Sequence, residues 1–125
     1  MRMNPDTPPL LVDSITEAIG PGAGRIVVSG SHGGISAGRF ALQAGVRLAV
    51  FNDAGVGRDR AGIAGLNLLQ AQGIAACTVS HDSARIGESA STFDDGVISH
   101  ANAAAAAMGA APGRRLRDWL ATLAG

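Results

Sequence analysis

The chain has no lysine and no tyrosine, and its 125 residues include one cysteine, one tryptophan and three phenylalanines. Each shortage excludes something. A Walker-type phosphate loop needs a lysine to reach the terminal phosphates. A Schiff base needs an amine, so covalently held pyridoxal phosphate is ruled out. With Cys77 alone there is no internal disulfide and no thiolate metal cluster. Cys77 lies in an apolar run over 74–79, where a cysteine reads as a small hydrophobe. No stretch approaches the ~18 apolar residues of a membrane-spanning helix. The polar, proline-rich start does not resemble a signal peptide. All ten cations are arginine and balance ten acids. Such a chain has little long-range field, and no basic stripe interleaved with aromatics. Neither nucleic acid nor a membrane is an expected partner, and the chain reads as cytoplasmic.

The hydrophobic residues that are present, 46% of the chain, are mostly Ala, Val, Leu and Ile, and there are 18 glycines. The length suits one domain over 1–125 with its own core, with a flexible start over about 1–8. The pattern predicts a helix over 8–19, capped by Asp6 or Thr7 and stopped by Gly20. A strand over 25–29 follows, apolar on both faces as a buried parallel strand is. Next come a helix over 33–44 closed by Gly45, a strand over 46–51, a helix over 57–72 closed by Gly73 and a strand over 74–80. A helix from 92 or 94 through 108 and a last one over 114–123 complete the chain. The alternation predicts an α/β fold: a small three-layer α/β/α domain with a mainly parallel sheet of at least three strands, a Rossmann-like or flavodoxin-like half. A strand order of 2-1-3 would put the first predicted strand in the middle and open a crevice beside its carboxyl end. So narrow a sheet predicts a homo-oligomer. The last helix, or the one bearing Gly62 and Gly65, would form the contact.

Three polar clusters end the three predicted strands, where open α/β sheets bind ligands. In Ser29-Gly30-Ser31-His32-Gly33-Gly34, the amides of Gly30, Gly33 and Gly34 could meet an anion at a helix N-terminus. His32 could act as general acid or base, or accept a phosphoryl group. Sugar-transport phosphocarriers and caspase-like peptidases similarly place a His-Gly pair after a strand. Without a cysteine at the end of the second strand, the caspase arrangement is incomplete. In Asn52-Asp53-Ala54-Gly55, Asn52 could bind ligand and Asp53 could orient a histidine. In Ser80-His81-Asp82-Ser83-Ala84-Arg85, His81, Ser83 and Arg85 could bind ligand and Asp82 could assist a proton transfer. The planar fork of Arg85 suits a phosphate or carboxylate; its plain alternative is a salt bridge to Glu88, Asp94 or Asp95. No close-spaced ligand pair points to a metal.

The segment over 26–53 also resembles the nucleophile-elbow region of an α/β-hydrolase, which would make Ser31 a nucleophile with Asp82 and His100 as partners. The chain is far shorter than that fold. Together, Gly30-Ser31-His32-Gly33-Gly34, Asn52-Asp53-Ala54-Gly55 and Ser83-Ala84-Arg85-Ile86-Gly87 resemble a group of uncharacterised bacterial proteins over about 26–109, which implies no particular chemistry. The expected function is binding of a small anionic molecule, with turnover through His32 and Asp53 or Asp82. A minimal serine hydrolase and a non-catalytic binding or structural subunit are the alternatives.

Overall fold

The computed structural model describes residues 8–123; of the start expected to be flexible, over about 1–8, residues 1–7 lie outside them. Five strands form one sheet: β1 (Leu10–Val12), β2 (Ile26–His32), β3 (Leu48–Asn52), β4 (Ala75–Val79) and β5 (Ile98–Ala101). They lie side by side in chain order, the first four parallel and β5 antiparallel to β4. The small, mainly parallel α/β fold is as the sequence predicts, but the order is not 2-1-3. β3, not β2, is the central strand, so the chain does not reverse direction across the sheet at β2.

Sequential order has a consequence for the layers. Crossovers of one hand that all step the same way put their connecting helices on one face. That face carries a 3-10 turn at Ile15–Ala18, α1 (Ile35–Ala44) and α2 (Ala64–Gln70). Ile15, Ala18, Ala41, Leu66 and Leu69 pack there with Val27, Ala49, Phe51 and Ala76 of the strands. The opposite face would be bare without the C-terminal third of the chain. α3 (Ser89–Asp95), α4 (Ala103–Ala107) and α5 (Leu116–Leu123) cover it. There Leu116, Trp119 and Leu120 pack with Val28, Leu48, Val50 and Cys77. Neighbours along β2 and β3 alternate between the two clusters, as strand geometry requires.

Three predicted helices are not continuous. The segment over 8–19 contains β1 and the 3-10 turn, which begins at a capping box. The Ser14 side chain accepts from the backbone of the first turn and Glu17 accepts from the Ser14 amide. The segment over 92–108 is cut into α3, β5 and α4. Gly96 ends α3 where a Cβ would strike the Thr92 carbonyl and the Val79 side chain. α4 then starts at Asn102, whose Oδ1 accepts from the amides of Ala105 and Ala76 while its Nδ2 donates to the carbonyls of Leu66 and Ile74. The predicted helix over 57–72 is likewise a 3-10 segment (Arg58–Ile63) followed by α2.

The glycines of that region pack within the chain. A Cβ on Gly65 would strike the Gly34 carbonyl, and one on Gly62 the Asp53 carbonyl. A Cβ on Gly38 would sit 3.0 Å from Gly65 Cα, so α1 and α2 touch backbone to backbone. The apolar stripe of α5 is buried in its own domain. Both surfaces suggested by the sequence for subunit contact are therefore occupied internally.

Candidate site at the strand ends

β3 runs fully buried into Asn52-Asp53. Asn52 holds two loops together: its Nδ2 donates to the Ala84 carbonyl at 3.0 Å and its Oδ1 accepts from the Ala54 amide at 2.8 Å. One residue on, Asp53 Oδ1 accepts from the amides of Gly55 (2.8 Å) and His81 (3.0 Å). The same oxygen lies 3.4 Å from His81 Nδ1. The Asp53 side chain is 6% exposed and the His81 ring 53%, so a buried carboxylate faces a histidine that solvent and ligands can reach. Burial pushes the Asp53 carboxyl up, but the Ser99 hydroxyl, the Gly55 and His81 amides and the His81 ring outweigh it and hold it below the usual carboxylate range. On the far side of the ring, His81 Nε2 lies 3.2 Å from Asp82 Oδ1. Asp82 is almost wholly solvated.

A pocket of about 470 Å³ adjoins this pair, lined by Asn52, Ala54, His81, Ala84, Arg85 and Ile86. Arg85 Nε pairs with Glu88 Oε2 at 2.9 Å, the plain alternative weighed for it. Its backbone is fixed by the Ser91 hydroxyl. Ser83 is tied at both ends of its hydroxyl, which donates to the Ser80 carbonyl and accepts from the Val97 amide. The loop after β3 is strained. Ala54, Val56, Asp59 and Arg60 all have left-handed φ, between 52° and 67°. For β-branched Val56 in particular this is a costly conformation, and such strain concentrates at functional sites.

The glycine-rich cluster after β2 is built differently. The strand continues through His32. The Gly30 amide donates to the Asp13 carbonyl, that of Gly33 to Asn52 and that of Gly34 to His32 Nδ1. All three amides proposed as an anion cradle are thus paired within the fold. A Cβ on Gly30 would strike the backbone of Gly87 and Glu88, so this glycine permits a close chain crossing. His32 is exposed and its ring lies against Gly34; Asp53 faces His81 instead. Ser31 Oγ accepts from the Ile15 amide at 2.9 Å and sits within the strand, not on a turn. His100 is on β5, three strands away from β2, a separation of about 14 Å. Ser31, Asp82 and His100 are therefore not brought together as a triad. Burial pushes the Cys77 thiol up to about 12, which leaves it inert.

Among the described residues no cluster of three His, Cys, Asp or Glu side chains is placed to hold a metal ion, and no helix is long and apolar enough to cross a membrane. Ser99, the hydroxyl partner of Asp53, was not foreseen; alternation of polar and apolar residues in Ile98-Ser99-His100-Ala101 was the available strand signal. No protein-family model, curated protein or solved structure matches the chain.

Proposed function

We propose that the protein binds a small anionic metabolite in the pocket at the carboxyl ends of β3 and β4, and that His81 moves a proton on it. One observation carries this: the buried Asp53 carboxylate set against Nδ1 of a solvent-accessible His81 at the pocket wall. A carboxylate 3.4 Å from Nδ1 favours a proton on that nitrogen and leaves Nε2, beside the solvated Asp82, to exchange a proton with a ligand. Arg85 supplies the anion contact. Its Nε is taken by Glu88, while the two terminal nitrogens have no hydrogen-bond partner among the described residues and keep the geometry that suits a phosphate or carboxylate. Relative to expectation, the proton role passes from His32 to His81, and of the two expected anion contacts, the glycine amides and Arg85, this reading keeps Arg85 alone.

The test is a thermal-shift titration with phosphate, sulfate and small carboxylates on wild type, His81→Ala and Arg85→Ala. A ligand held only by the native state raises Tm with concentration. The expected result is a rise in wild type that disappears in Arg85→Ala and weakens in His81→Ala. An equal rise in all three proteins, or none in wild type, overturns the proposal.

A further inference from the structure

A second cavity, of about 450 Å³, lies between the Arg58–Ile63 turn, α2, β5 and α4. Its size is that of a small-molecule pocket. Its wall combines three unlike surfaces. The first is His100. The ring nitrogen Nδ1 is enclosed and has no hydrogen-bond partner, whereas Nε2 is not enclosed. A neutral imidazole carries its proton on one nitrogen, and Nδ1 has neither a donor nor an acceptor beside it among the described residues. In the tautomer with the proton on Nε2, the one a bound carboxylate would select, His100 is a donor.

The second surface is a pair of adjacent opposite charges, Asp59 and Arg60. Both are held at left-handed φ, 54° and 61°, and both line the cavity. Neither side chain is hydrogen-bonded or ion-paired to a described residue. The third is an apolar wall from Ile63, Leu66 and Ala106.

A guanidinium, an imidazole donor, a carboxylate and an aliphatic wall complement one chemical class. We propose that this cavity binds a small apolar α-amino acid. Its carboxylate meets the fork of Arg60 and His100 Nε2–H, its ammonium meets Asp59, and its side chain lies on Ile63, Leu66 and Ala106. A plain carboxylate would meet the like charge of Asp59. A neutral apolar compound would leave both charges unanswered. The site shares Ser99 with the one above but does not depend on any proton transfer by His81.

The experiment is calorimetric titration of the whole chain with L-valine, L-leucine and L-methionine, beside 4-methylpentanoate and isopentylamine, which are leucine without its ammonium and leucine without its carboxylate. At least one amino acid should bind saturably. Each half-molecule should bind at least about tenfold more weakly, since a charge-assisted contact is worth that much or more. Binding should be lost in Asp59→Asn/Arg60→Gln, whose side chains are exposed and whose Asn tolerates the left-handed backbone, and it should persist in His81→Ala. Absence of saturable binding by all three amino acids overturns the proposal, as does equal binding of the half-molecules or unchanged binding by the double variant. Loss in His81→Ala alone would also overturn it by placing the ligand in the other pocket.

Discussion

The loops that leave β2 and β3 reach the same edge of the sheet, and both are rich in glycine and polar residues. At the end of β2 the cluster's glycine amides are consumed by the fold, and Gly30 and Gly33 are there because neighbouring chain passes too close for a side chain. After β3 four side-chain-bearing residues are forced to left-handed φ, and the turn they make presents a buried carboxylate to an exposed imidazole. A glycine-rich turn serves packing in one case, and a turn with too few glycines serves a site in the other. Strain and an enclosed charge separate the two more sharply than glycine content does.

That contrast can be broken by substitution, read as the change in denaturant-unfolding stability. The largest effect is expected for Gly30→Ala, whose Cβ must displace the backbone of Gly87 and Glu88, a loss of about 3 kcal/mol. Asp53→Ala should follow, at roughly 1–3 kcal/mol, because it leaves the amides of Gly55 and His81 without their acceptor. Asp53→Asn retains an oxygen and separates charge from hydrogen bonding. Since the folded carboxyl lies below its ordinary value, the unfolded chain takes up the proton first. The charge therefore contributes fully above the unfolded value of about 3.9 and progressively less as pH falls through the folded one. The stability gap between wild type and Asp53→Asn should close below about pH 4; a constant gap from pH 7 to 3 would refute the electrostatic part. Gly57→Ala should cost about 1–3 kcal/mol, a purely conformational penalty in open space at φ 71°, ψ −169°, a backbone conformation that is essentially glycine's alone. Smallest is Ala54→Gly, which relieves left-handed strain at an exposed residue and should raise stability by about 1 kcal/mol or less. A loss there would mean that the loop's strain is not where its backbone places it.

The three central strands and the helices closed by Gly45 and Gly73 were legible because apolar β-branched runs and left-handed glycine caps are local signals. β1 is three residues long, next to two prolines, and its strand character comes from pairing with β2, a contact distant in sequence. β5 was masked by the alanine run over 103–107, whose helix propensity suggested one long helix across Gly96. Tertiary crowding at Gly96 decided otherwise. The polar clusters correctly marked the sheet edge that Asp53 and His81 occupy. Which histidine meets Asp53 depends on the strand order: β4, carrying the loop to His81, adjoins β3 on one side just as β2 adjoins it on the other, and spacing along the chain does not distinguish them.

Strand order has a further consequence, for how the sheet is made. Among the described residues every strand after β1 lies beside the one synthesised just before it, so none of these four waits for a partner still inside the ribosome. The sheet can lengthen one ribbon at a time from the N-terminus, with the growing edge always the newest. β5 ends this growth by turning antiparallel, and the chain after it donates and accepts hydrogen bonds along its outer side at Ile98. The residues at 113–114 thus close the edge on which another copy of the chain could otherwise have templated.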